Sequence, residues 1–208
     1  KMDMGIIIAI QLSALTYGIW TLHHNRPALL VYADDLIRPI PVSVVEEVDP
    51  QGQLLQAYAG ELPVKLAIPV PTDPESASDY ILQRIRGATP LHLHTADYVR
   101  LVDWWPQVIA DSLDVERYVT RKEEWQLAFL KKLATLQRPV TELVFLPIKG
   151  RNKSGIIVAD AATAEFIDFL DIPFVPEWGR RKVTLQQRLD RIRASMTPAE
   201  QQPGAAPE

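Results

Sequence analysis

The sequence predicts an α+β fold in which an N-terminal transmembrane helix precedes one mixed domain with mostly antiparallel strands and three to four helices. Three observations predict it. An uncharged, largely apolar run occupies positions 5 to 22. Behind it, β-rich runs interrupted by prolines alternate with stretches of helical periodicity. Two late β-rich runs flank a short polar loop of the kind that joins antiparallel strands.

Composition narrows the class of protein further. The chain has 208 residues with a formal net charge of -4, and its 47% hydrophobic and 23% charged residues are typical of a globular protein. The acidic balance argues against a dedicated nucleic-acid binder. The absence of cysteine removes thiol catalysis, cysteine zinc sites and disulfides. Seventeen prolines against nine glycines favour rigid, extended joints.

The opening run, Gly5 to Leu22, is just long enough to cross a bilayer, so residues 1–24 are predicted to form a transmembrane helix. Tyr17 and Trp20 lie toward one end, where amphipathic aromatic side chains prefer lipid headgroups. The alternatives are a buried core helix and the hydrophobic part of a signal peptide. Charge does not decide the orientation of this helix.

A domain is predicted over residues 25–178, beginning at the joint formed by Asn25, Arg26 and Pro27. Since a proline disfavours helical conformation in the residue before it, a strand over 28–32 is expected to follow. Prolines at 39, 41, 63 and 71 predict edge strands or irregular extended pieces over 37–48 and 63–71, because proline cannot donate to a central ladder.

Helices are predicted over 73–86, over 95–113 with a break or kink at Pro106, and over 125–136 behind a capping box from Thr120 to Glu123. A hairpin over 143–148 and 155–159 should follow, and Asp160 should then cap a short segment over 161–170. The folded part is expected to close near 173–176. Residues 179–208 are predicted to form a basic amphipathic helix and a disordered tail.

His92, His94 and Asp97 form the one candidate metal site, and they would suit a metal-dependent envelope hydrolase. A His-x-His pair also arises by chance, and no nucleophile elbow or phosphate-binding glycine motif accompanies it. We therefore expect a non-enzymatic protein with no metal and no cofactor. Two basic clusters, at 149–153 and 180–193, are either solvated or face anionic lipid or an acidic partner.

One resemblance extends over most of the chain. The run from Ile10 to Trp20 and the Arg26–Pro27 joint, with the strand to Tyr32, resemble the last membrane helix and first strand of TfpX/TfpZ-type (FimB-like) type IV pilin accessory proteins. Segments 89–98, 145–151, 157–160 and 172–174 follow in the expected order. The resemblance runs from position 1 to about 176. Two features depart from the family's pattern. The stretch 34–36 differs from it, and family members have further membrane segments upstream that this sequence does not include.

The resemblance implies an inner-membrane protein with a periplasmic domain that helps a cognate type IV pilin to assemble or to reach the surface. Lipid and other pilus assembly proteins are the further partners expected, without nucleic acid. By their location, Gln11, Ser13, Tyr17 and Trp20 are hypothesised to contact the pilin inside the membrane, and Arg26 to lie at the interface joint. A membrane-tethered ligand-sensing domain is the main alternative.

Overall fold

The computed structural model describes residues 2–58, 62–71, 76, 78–80, 82, 90–151 and 153–175. It confirms the α+β class: an apolar N-terminal helix precedes one mixed sheet with helices packed on it. The predicted basic amphipathic helix and tail lie outside the described residues, as does most of the predicted helix over 73–86, of which residues 76, 78–80 and 82 are helical.

Helix α1 spans Met2–Asn25 and therefore contains the whole predicted membrane run. It ends where the residue before Pro27 must leave the helical region. Its stretch from Met4 to Asn25 is long and apolar enough to cross a membrane, by length and composition. None of that stretch is buried against the domain.

Seven described strands form one sheet in the order β4-β3-β1-β2-β5-β6-β7. Four of the six pairings are antiparallel, whereas β1 with β3 and β2 with β5 are parallel. The strands are β1 Pro27–Ala33, β2 Leu36–Pro41, β3 Val64–Ala67, β4 Val99–Arg100, β5 Leu143–Lys149, β6 Ser154–Asp160 and β7 Phe166–Leu170. The predicted hairpin is β5 with β6.

Of the two alternatives given for the segments 37–48 and 63–71, the edge strand was wrong, because β2 and β3 are both internal, whereas residues 68–71 are irregular as the other alternative allowed. β2 tolerates its prolines because its ladder with β5 is short. The two strands pair at Ile37 and Ile148, and β5 ends at Lys149. Pro39 and Pro41 therefore lie beside the loop that follows β5, where no strand needs their missing N–H groups. Residues 42–48, expected to be extended, form a helix.

Besides the helical residues 76, 78–80 and 82, the described ranges contain five helices after α1, and four of these are only one or two turns long. They are α2 Val42–Val48, α3 Gln53–Ala57, α4 Trp105–Ala110, α5 Val115–Val119 and α6 Glu123–Leu136. The helix expected over 95–113 is wrong: 3-10 turns at Thr95–Asp97 and Leu101–Trp104 and the strand β4 precede α4. Pro106 lies in the first turn of α4, where its missing N–H costs nothing.

Helix α6 confirms the long helix, but the capping box before it was wrong. The Thr120 hydroxyl donates to the Arg117 carbonyl oxygen, and Lys122 precedes the helix without a side-chain cap. Asp160 does cap a local structure, since its carboxylate accepts the N–H groups of Ala162 and Thr163. That structure is a turn, and the segment behind it continues as strand β7.

Apolar side chains are buried on both faces of the sheet. On one face, α2 and α3 cover β1 and β3, and α5 and α6 cover β5 to β7. On the other face, α4 packs on the centre through Trp105 and Val108. The sheet curls around this second face, because Lys65 Nζ of β3 lies 4.6 Å from the ring centroid of Phe166 of β7 although four strands separate them.

Candidate functional site on the N-terminal helix

The surface of α1 is largely apolar, and it lies clear of the domain except at its last turns, which contact α2. Between Met4 and Leu22, eleven large apolar side chains are between 51% and 75% exposed. They are Met4, Ile6, Ile7, Ile8, Ile10, Leu12, Leu15, Tyr17, Ile19, Trp20 and Leu22. A helix that is hydrophobic on every side is stable only when something apolar covers it, either lipid or a protein.

The predicted contact residues do not share one side of this helix. Successive residues of an α-helix are about 100° apart, so Gln11 and Trp20, nine residues apart, lie on opposite sides. Ser13 and Tyr17 lie within about 60° of Trp20 by the same spacing. The structure therefore brings Ser13, Tyr17 and Trp20 together and separates Gln11 from them.

Tyr17, Trp20 and His24 form a connected aromatic face at the end of α1 nearest the domain. The ring centroids of Tyr17 and Trp20 are 6.0 Å apart, and those of Trp20 and His24 are 4.2 Å apart. His24 Nδ1 lies 3.1 Å from the Trp20 carbonyl oxygen. The i, i+4 spacing of Trp20 and His24 is the sequence signal for this contact, which the prediction of Tyr17 and Trp20 alone missed.

The hydroxyl groups near the middle of α1 are already hydrogen-bonded. Ser13 Oγ donates to the Ala9 carbonyl oxygen at 2.8 Å, and Thr16 Oγ1 donates to that of Leu12 at 2.8 Å. Such bonds to the preceding turn satisfy a hydroxyl without a partner helix. Ser13 is therefore not dependent on another protein for its donor.

Gln11 differs from Ser13 in this respect. Its side chain is exposed, and its amide makes no hydrogen bond within the described residues. Gly18 lies two turns further on the same side, and a Cβ at Gly18 would meet no atom within 4 Å. This side of α1, which we call the Gln11 face, thus combines an unsatisfied amide with room for a close approach.

Arg26 joins α1 to the domain through its backbone. Its carbonyl oxygen accepts the N–H of Val42, the first residue of α2, at 3.0 Å. Its side chain is exposed and forms no ion pair with a described residue. The guanidinium is therefore available at the point where the apolar helix ends.

The histidine site does not assemble. Within the described ranges, no three His, Asp or Glu side chains are grouped as metal ligands would be. His92 lies in a 3-10 turn, and His94 Nδ1 is 3.8 Å from Asp97 Oδ2. Burial, followed by the charge of Arg38, lowers the pKa of His92.

The backbone around His92 has a structural role. Its carbonyl oxygen accepts a 2.6 Å hydrogen bond from the hydroxyl of the buried Tyr98. The His92–Asp97 segment is thus held by a core side chain, and Leu93 packs against the buried cluster on β1 and β3.

Searches of family models, of curated proteins and of solved structures find no match to this chain.

Proposed function

We propose that this chain is a membrane-anchored, non-enzymatic accessory protein that binds a cognate type IV pilin, with its α+β domain in the periplasm. The observation that carries the proposal is the exposed apolar surface of α1. The sequence resemblance supplies the identity of the partner, and the geometry of α1 supports a contact within the bilayer.

Lipid is the cover that best matches α1. A helix of 24 residues is about 36 Å long, and the hydrocarbon layer is about 30 Å thick. All of its internal backbone groups are bonded within the helix, as hydrocarbon demands. Its apolar run exceeds the length of about 7 to 15 residues typical of a signal-peptide core. The aromatic face at its end suits the headgroup layer.

Gln11 indicates where a second helix would bind. It is two to three residues, about 4 Å, from the middle of the run 5–22, so an anchored α1 holds this amide deep in hydrocarbon. An amide without hydrogen bonds costs several kcal/mol in such a medium. A polar group on another membrane helix would satisfy it. A pilin subunit, which waits in the bilayer with its own hydrophobic helix before assembly, supplies such a helix.

The two sides of α1 then have different tasks. The Gln11 face contacts the pilin helix, and Gly18 allows the backbones to approach closely. Tyr17 and Trp20 set the depth of α1 at the membrane surface. Arg26 lies beside them, where its charge meets lipid phosphate or an acidic pilin residue.

The test is co-purification of the pilin with the tagged full-length protein from membranes. Gln11→Leu should lower capture about 3- to 30-fold, the range for losing one hydrogen bond between membrane helices. Ser13→Ala is the matched control at the same depth on the opposite side, and capture should stay within about twofold because that hydroxyl is bonded to Ala9. Unchanged capture by the double variant Gln11→Leu, Arg26→Gln would remove this contact.

A further inference from the structure

Strand directions bring the tip of the β5–β6 hairpin to the end of the sheet from which α1 leaves. Pro41 at the end of β2 pairs with Pro27 at the start of β1, directly after α1. β5 runs parallel to β2 with Ile148 opposite Ile37, so the residues after Ile148 continue toward that same end. We call it the anchor end, and the opposite end of the strands the far end.

The position of Gly150 relative to β2 supports this placement. A Cβ on Gly150 would lie 3.6 Å from Cγ of Pro39, in the second half of β2. The hairpin is two strand spacings, about 10 Å, from β1. The hairpin tip therefore lies near the point at which α1 joins the domain.

The hairpin tip is strongly basic. Lys149, Arg151 and Lys153, which we call the basic tip, are all exposed. Lys153 pairs with Asp171 at 3.1 Å, whereas Lys149 and Arg151 form no ion pair within the described ranges. With Arg26, four cations thus lie at the anchor end.

The far end carries the opposite charge. The exposed or half-exposed acids Asp34, Asp35, Glu142, Asp160 and Glu165 lie there, and Arg138 pairs with one of them, Asp160. The exposed acids of α2, Glu46 and Glu47, lie on a helix that begins beside Arg26 and contacts α1, but on the other side of β2 from the hairpin. On the hairpin side, Lys149 and Arg151 form no ion pair with a described residue, so the tip keeps a positive charge in a chain whose net charge is -4.

We infer that the basic tip docks on anionic phospholipid headgroups of the membrane that holds α1. The inference rests on the membrane anchoring in the proposed function and adds a second contact, which fixes the tilt of the domain on the bilayer. Basic side chains gain about a fivefold preference each for an anionic surface, and the attraction acts within a Debye length of about 10 Å. The two strand spacings between β5 and β1, about 10 Å, are of the same size as that length.

The experiment uses the full chain reconstituted in phosphatidylcholine vesicles that contain trace spin-labelled lipid. The fraction of motionally restricted label is compared between labelled phosphatidylglycerol and labelled phosphatidylcholine. The unsubstituted chain should prefer phosphatidylglycerol, and Lys149→Gln with Arg151→Gln should lower that preference severalfold. Salt at 1 M, where the Debye length is about 3 Å, should lower it equally.

The control removes two positive charges elsewhere on the domain, by Lys131→Gln with Arg138→Gln, and it should leave the preference unchanged. An equal preference in the unsubstituted chain and the tip variant would overturn the inference while leaving the anchor intact. Loss of pilin capture by the tip variant, with no change in lipid preference, would overturn it in favour of an acidic protein partner. A chain that restricts neither lipid would contradict the anchor itself, and with it the proposed function.

Discussion

Replacing Tyr118 with phenylalanine should loosen the attachment of the last described segment to the domain. The Tyr118 hydroxyl donates to the Pro173 carbonyl oxygen at 2.8 Å and accepts the Val175 N–H at 3.0 Å. Its ring is 2% exposed and stacks on Trp125 at 5.4 Å. Burial raises the pKa of this phenol, so it remains a donor at neutral pH.

The expected cost follows from these two bonds. Each hydrogen bond contributes a net 0.5 to 1.5 kcal/mol, so Tyr118→Phe should lower the free energy of unfolding by about 1 to 3 kcal/mol. The ring and its stacking on Trp125 are kept, so the hydroxyl alone is tested. In a domain of this size the thermal midpoint should fall by about 3 to 10 °C.

Thermal unfolding of the full chain in detergent, followed by near-ultraviolet circular dichroism, measures this midpoint. Tyr17→Phe is the matched control, because the Tyr17 hydroxyl is exposed and bonds to no described residue. A midpoint for Tyr118→Phe equal to that of the control would refute the reasoning. It would mean that the segment 171–175 is not held by α5.

Two further predictions concern β6 and β7. Gly155→Ala should lower the free energy of unfolding in urea by about 1 to 3 kcal/mol, because its added Cβ would overlap the Phe169 ring. Gly5→Ala is the control, and it should change nothing because the space around Gly5 is open. Equal urea midpoints for the two variants would disprove that packing. The pKa of Asp168 is lowered by the Phe169 N–H and then by Lys132. Because the pKa of Asp168 is lower in the folded chain, its carboxylate stabilises the fold at pH values above the unfolded pKa near 4, and this stabilisation is lost as pH falls through the folded pKa. Asp168→Asn should therefore reduce the loss of stability at acid pH, measured as the free energy of unfolding over a pH series. An unchanged loss of stability at acid pH would contradict this.

The elements that the sequence predicted well are those with strong local periodicity. The uncharged run became α1, and the two β-rich runs became β5 and β6. Helix α6 follows an apolar stripe whose Trp125 and Phe129 are both buried. In each case the residues that set the element are neighbours along the chain, so no knowledge of the tertiary partners was needed.

The failures all depend on tertiary neighbours. An edge position was inferred for β2 from its prolines, but whether a missing N–H matters depends on the short ladder with β5. The segment 95–113 has helical spacing, yet the Tyr98 hydroxyl bonds to the His92 carbonyl oxygen and holds the chain in turns. Phe166 and Leu170 suit a helix face as well as a strand, and pairing with β6 decides for the strand.

The candidate site was predictable in part. Exposure of α1 on every side could not be derived from the sequence, because a buried core helix has the same composition. The separation of Gln11 from Trp20 was derivable from helical spacing alone. The meeting of the basic tip with α1 was not, since it requires the parallel pairing of β2 with β5.

Cysteine labelling in cells tests the central claim, that lipid covers α1 and the domain lies outside the inner membrane, most directly. The chain has no cysteine, so single substitutions report one position each. A maleimide that crosses the outer but not the inner membrane should label Lys131→Cys in intact cells. It should label Leu15→Cys, 60% exposed on α1, only after detergent is added, and the protein should stay in the membrane fraction after alkaline extraction. Release by alkali, together with labelling of Leu15→Cys without detergent, would contradict the account.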